Sequence, residues 1–287
     1  MTELTIKSPT SQVETIQNQT EQKTVEVKEE SISSNQINDG EKKFSLDKTA
    51  IVFGQSEEDI SKEFKEFKAL KLFKRVDCDL TSVTDNLLLK QKIEEAVKYG
   101  FGNVVVNPRQ IKHAKRYLQG RKIGVYAAVC YPYGEEIYGV KKYAVKKAME
   151  EGADGVYLPL STSDLKSGRI EQVKRELFKI VKRYKRKKIF VVLEIGEINF
   201  SVAERIVKIL LKSRIAGIVS GTGHSPYCKP FSGASDLHSL SGGKRTVVAC
   251  SNTEKSREVV SLFSVADRVF LKNAPKMALD LKANLEF

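Results

Sequence analysis

Residues 189–223, IFVVLEIGEINFSVAERIVKILLKSRIAGIVSGTG, carry the pattern that decides the fold. A run rich in Val and Ile (189–195) is followed by an amphipathic stretch (201–212) and a second short apolar run (217–220). Both runs are continuously apolar rather than alternating, as expected of strands buried on both faces of a parallel sheet. The stretch between them opens with Ser201 and Glu204 at the spacing of a capping box, so a helix is expected to start there. Strand, helix and strand in about 30 residues make one βαβ unit.

The same unit recurs in both directions. Short apolar runs fall at 76–80, 103–107, 123–130, 155–160, 189–195, 217–220, 246–250 and 268–271. Helical patterns separate them. Residues 87–99 place Leu88, Ile93, Ala96 and Val97 on one stripe with Gly100 as a C-cap, and Val259, Leu262 and Phe263 give an apolar face after the seventh run. Eight consecutive strand–helix units in about 200 residues predict a (β/α)8 TIM barrel, with an extra N-terminal helix over 56–73. A doubly wound open sheet is the competing architecture.

The N-terminal segment reads differently. Residues 1–45 are polar, carry 5 Lys/Arg against 8 Asp/Glu, and hold almost no aromatics before Phe44. Such a segment buries too little apolar surface to offset its ordering entropy, so a disordered tail over 1–45 and a barrel domain over 46–287 are expected. The segment lacks the basic-then-apolar layout of a secretory signal, and no run of about 18 apolar residues is present for a transmembrane helix. Cys78, Cys130, Cys228 and Cys250 are scattered without a C-x-x-C pair or metal spacing, which predicts a reducing, cytoplasmic setting and no metal or cofactor site. The whole chain carries a formal charge of +13. Between Lys166 and Lys188, 11 Lys/Arg face only Glu171 and Glu176. On a helix, Val173, Leu177, Ile180 and Val181 would face the barrel and leave a cationic outer face. That face is read either as solvated surface complementing the helix dipole or as a docking patch, through Lys182, Arg183, Lys185, Arg186, Lys187 and Lys188, for an anionic protein, nucleic acid or membrane surface. No nucleic-acid-reading motif accompanies it.

Several segments, in order, resemble the deoxyribose-phosphate aldolase family. They are FKALKLFKRVDCDLTSV (67–83), GFGNVVVNPRQIKHAKRYL (100–118), CYPYG (130–134), EEGADGVYLPL (150–160) with LKSG (165–168), LEIGEI (193–198) and GIVSGTG (217–223). The resemblance implies a class I aldolase scaffold in which a strand-six lysine forms a Schiff base with the substrate carbonyl. Carried over residue by residue, that lysine corresponds to Val219, the strand-seven lysine to Val248, the strand-four aspartate to Tyr157 and a further strand-five lysine to Phe190. A valine has no nucleophile, so Schiff-base chemistry at 219 is excluded on chemical grounds. The family's phosphate-binding glycines after strand seven are replaced by Ser251-Asn252-Thr253-Glu254, in which Ser251 and Glu254 have capping-box spacing.

Other residues are candidates to substitute. The loop after the sixth run offers His224 as an acid/base and Cys228 or Lys229 as a nucleophile, or is a proline-braced surface loop. Tyr157 is either a proton donor or core packing. Asp79, Asn107, Glu194 and Lys272 stand at strand ends where they would bind a ligand or brace the structure. The expectation is a catalytically inactive barrel acting as a binding, scaffold or regulatory protein, which could be a homo-oligomer. The alternatives are a lyase on a small phosphorylated sugar or aldehyde with a relocated nucleophile, and a polyanion-binding module.

Overall fold

The computed structural model describes residues 72–184 and 188–283, with Lys282 by its backbone alone. Eight strands pair in parallel and in sequence order: β1 (Val76–Asp79), β2 (Asn103–Val106), β3 (Gly124–Ala128), β4 (Gly155–Pro159), β5 (Ile189–Val192), β6 (Gly217–Val219), β7 (Thr246–Ser251) and β8 (Arg268–Leu271). β8 pairs with β1, in the register Cys78 opposite Leu271, and closes the barrel. Each expected strand is present, and closure excludes the open-sheet alternative. The expected tail, most of the expected N-terminal helix, and Lys185, Arg186 and Lys187 lie outside the described residues; Leu72–Arg75 form a 3-10 turn leading into β1.

The strands separate two apolar clusters by their period of two. Outward residues such as Val104, Val125, Val156, Val191, Ile218 and Val247 pack beneath the helices. Inward ones, among them Val105, Ala128, Tyr157, Phe190, Val192, Val219, Val248 and Phe270, fill the barrel. Tyr157 and Phe190 stack with ring centroids 5.3 Å apart, and Tyr157 meets Phe270 at 5.0 Å. Glycines give these rings their room: a Cβ at Gly217 would stand 2.8 Å from the Phe190 ring and 2.5 Å from the Thr246 carbonyl.

The helices are α1 (Asn86–Tyr99), α2 (Ile111–Tyr117), α3 (Tyr138–Glu150), α4 (Thr162–Lys166), α5 (Ile170–Val181), α6 (Phe200–Leu211), α7 (Pro230–Ser241), α8 (Ser256–Leu262) and α9 (Ala274–Ala283). Among the described residues none is long and apolar enough to cross a membrane. Asp85 caps α1 through Leu88 N, 2.7 Å, and Gly100 ends it with φ 75°. The buried stripe is Leu89, Ile93 and Ala96, whereas Leu88 is exposed. One residue of phase turns a helix by 100°, and the Asp85 cap sets that phase.

Three further expectations are corrected. Asn199, not Ser201, caps α6: its side chain accepts from Val202 N at 2.9 Å, while the Ser201 hydroxyl donates to it and Glu204 pairs with Lys208. Ser251 and Glu254 form no capping box, because Ser251 still belongs to β7 and Glu254 reaches Lys276 at 2.7 Å. α5 buries Val173, Leu177, Ile180 and Val181 as expected, yet it ends at Val181. Lys182 and Arg183 therefore stand in the turn toward β5 rather than on a basic helix, since the chain must reverse there to enter the barrel. They are exposed, as is Lys188. Beside them a recess of about 320 Å³ between α5 and the end of α6 is walled by Phe178, Lys179, Lys182, Lys212 and Arg214.

Candidate functional site

The C-terminal ends of the strands collect a polar cluster, at the face where (β/α)8 enzymes carry their chemistry. Asp79, the last residue of β1, is buried, and its Oδ1 accepts from Thr81 N at 2.8 Å. Burial raises its carboxyl above the usual range, while Thr81, His224 and Lys272 pull in the opposite direction. Glu194, two residues beyond β5, is also buried and accepts both the amide of Thr222, at 2.7 Å, and its hydroxyl. Burial again raises the carboxyl. Both carboxyls are thus held above their ordinary range by burial and accept hydrogen bonds from the loops that follow β1 and β6.

Around them stand Tyr131, whose hydroxyl donates to Thr222 O at 2.5 Å, and His224, whose ring meets that of Tyr131 edge-on at 5.3 Å. His224 Nδ1 lies 3.2 Å from Thr222 O. The chain reaches this geometry through the CYPYG turn, where Cys130 has φ 56° and Gly134 packs so closely on β4 that a Cβ would lie 2.7 Å from the Pro159 carbonyl carbon. The Cys228 sulfur lies 4.0 Å from the carbonyl of buried Cys250. Hydrogen bonding between the two thiols lowers Cys228 and raises Cys250. Lys272, just past β8, is half-buried and within electrostatic reach of Asp79. Asn107 serves the scaffold: its Nδ2 donates to Thr81 O at 2.7 Å and ties the loop after β1 to β2.

Not every candidate joins the cluster. Lys229 is exposed at the start of α7, where its carbonyl accepts from Gly233 N. Glu197, in the LEIGEI segment though not among the candidates, accepts from Ser225 and pairs with Lys166 at 3.0 Å, bracing the loop after β6. Tyr157 is fully buried and donates to Asp77 Oδ2 at 2.5 Å. Asp77 also binds Asn103, which opens β2, and Arg268, which opens β8. This contact therefore lies toward the N-terminal end of the barrel, so Tyr157 and Phe190 fill its middle and lower part rather than plugging the C-terminal mouth. Burial and the Asp77 charge both raise the Tyr157 hydroxyl, which makes it a poor proton donor. Sequence reasoning missed Tyr131, Thr222, Cys250, Asp77 and Arg268. Only Asp77 left a signal, as the first half of an inward D-x-D pair in β1. Among the described residues no group of three or more His, Cys, Asp or Glu is placed to hold a metal.

A closed parallel eight-stranded barrel with a polar C-terminal face defines a TIM-barrel protein of the kind that hosts many enzymes. No protein-family profile matches the chain. Over 127 residues, 44% of the chain, it is 39% identical to a deoxyribose-phosphate aldolase of Clostridium botulinum (strain Langeland), and over 140 residues it is 30% identical to that of Caldicellulosiruptor saccharolyticus. The matches span 59% and 64% of those relatives, so the chain covers less than two thirds of their length. Its fold matches a solved aldolase designated QR15, with TM-score 0.69 at 21% identity over 76% of this chain and 99% of that one. It also matches the deoxyribose phosphate aldolase of Aeropyrum pernix, a tetramer, with TM-score 0.67 at 19% identity over 80% and 99%. By sequence over the matched segment, the chain is a relative of the deoxyribose-phosphate aldolases, and it shares their fold.

Proposed function

We propose that this protein is a relative of the deoxyribose-phosphate aldolases that has lost Schiff-base chemistry and acts as a binding, scaffold or regulatory protein through its C-terminal face. The observation that carries this reading is Val219. It is wholly buried inside the barrel, in one apolar cluster with Val248, Tyr157 and Phe190. These are the four positions where the resemblance sets three lysines and an aspartate. An amine on β6 or β7 would need a nearby cation and an acid/base to act as a nucleophile, and this cluster supplies apolar and aromatic surface instead.

The phosphate-binding end of the family site is altered as well. The amide of Ser256, at the start of α8, is taken by the Asp280 carboxylate at 2.8 Å, so an anion already sits there. What remains suits recognition of a small polar metabolite. The buried carboxyls of Asp79 and Glu194 supply polar groups, His224 and Tyr131 form an edge, and Lys272 attracts negative charge.

The test is covalent trapping. Incubation with deoxyribose 5-phosphate or acetaldehyde followed by borohydride leaves the intact mass unchanged. A reproducible adduct on Lys272 or Lys229 would overturn the reading in favour of a lyase with a relocated nucleophile.

A further inference from the structure

At the opposite end of the barrel the structure holds a second concavity, walled by residues that open the strands. Asn103 begins β2 and Arg268 begins β8, Tyr126 and Phe190 lie low in β3 and β5, and Lys244 and Arg245 lead into β7. All eight strands are parallel, so these groups share the N-terminal end, away from Asp79 and Glu194. We propose that this cavity, about 610 Å³, binds a small organic anion carrying a flat ring, with the anionic group held by Lys244, Arg245 and Arg268 and the ring laid on Tyr126 and Phe190.

Size and chemistry both support the assignment. The volume falls within the roughly 300–1,000 Å³ typical of small-molecule sites, which are mostly apolar with a few convergent polar groups. No carboxylate lines the cavity. Carboxylates on neighbouring residues are already engaged: Asp77 accepts from Asn103, Tyr157 and Arg268, Asp154 pairs with Lys115 at 2.7 Å, and Asp267 accepts from Val247 N at 2.8 Å. Lys244 and Arg245 have no acidic partner among the described residues, so their positive charge is not cancelled locally.

The guanidiniums are also fixed in place. Arg268 is held through Nε and Nη2 by Asp77, leaving Nη1 without a hydrogen bond among the described residues. Arg245 is anchored by the carbonyls of Leu211, Ser213 and Lys244, at 2.9–3.0 Å. Its Nε–H is buried with no acceptor. The ring preference comes from the opposite wall, where Tyr126 and Phe190 stand edge to face at 5.6 Å. A bare inorganic anion would leave that apolar wall unused. The assignment is independent of any chemistry at the C-terminal face.

Two sources of this chemistry, a nucleoside monophosphate and an aromatic carboxylate, are separated by titration calorimetry on the full chain at low salt. The probes are adenosine 5′-monophosphate and indole-3-acetate, with adenosine and inorganic phosphate as controls. Saturable binding of at least one ring-bearing anion is expected, tighter than either control. Lys244→Glu should weaken it roughly tenfold, by losing one attraction and adding one repulsion. Ala216→Phe, which fills the cavity from its wall, should abolish it. Lys255→Glu, beyond the end of β7 at the opposite face, should leave it unchanged. Circular dichroism confirms the fold of each variant, and Lys244→Glu keeps the test intact if Ala216→Phe does not fold. The proposal fails if neither ring-bearing anion binds saturably, if inorganic phosphate binds as tightly, or if Lys244→Glu leaves affinity unchanged.

Discussion

Asp77 is the residue on which the barrel interior turns. Its side chain is completely buried, and a charge in that position is tolerable only because Arg268, Asn103 and Tyr157 surround it. Removing one member of such a pair strands the other. Asp77→Ala should therefore destabilise the protein by about 3–5 kcal/mol, the range for an uncompensated buried charge. Tyr157→Phe deletes one hydrogen bond to a charged acceptor and should cost about 1.5–3 kcal/mol. Urea unfolding of both variants decides it, and equal losses would contradict the charge argument. Val219 is the contrasting case: its chemistry was legible from the sequence alone, because no environment turns an isopropyl group into an amine.

Among the elements, strands were easier to read than helix ends. All eight strands lie where the apolar runs place them, because burial on both faces forces an unbroken Val/Ile pattern. Helix starts were misread at α6 and α8, since Ser, Thr, Asn and Asp compete for the cap within a few residues and only the backbone path selects one. Asn199 prevails over Ser201 because it already has extended backbone, φ −76° and ψ 160°. At α1 the Asp85 cap also fixes the helical phase that buries Leu89 in place of Leu88. Asp85→Ala should lower stability by about 1 kcal/mol, read as a shifted thermal midpoint without loss of the fold. A loss several times larger would mean that Asp85 does more than cap.

At the scale of the whole molecule, two buried carboxyls at the C-terminal face leave a pH signature. Burial raises both Asp79 and Glu194, so the folded state holds these protons more tightly than the unfolded chain does. The contribution of these two groups to stability therefore falls as pH rises from the ordinary carboxyl range, about 4, up to the raised values, and is level above them. Glu194→Gln keeps an acceptor for both Thr222 donors and removes the ionisation. It should gain on the wild type as pH rises through that window and match it below about pH 4. Urea melts across pH 3–8 check this, and a difference independent of pH would refute it.

The sequence by itself determined the eight units, the inward and outward faces, and the absence of an amine at position 219. Periods of 2 and 3.6 are local, and a side chain's functional groups travel with it. Only the tertiary structure decided which inward residues meet, and at which end of the barrel. Arg268 reaches Asp77 across 191 residues because β8 closes on β1, and Tyr157 reaches it across 80. That closure drew Tyr157 toward the N-terminal side, left Asp79 and Glu194 to raise their carboxyls at the other, and opened the cationic cavity beneath Phe190. No local pattern encodes such contacts, because strand tilt and ring closure set them for the whole barrel at once.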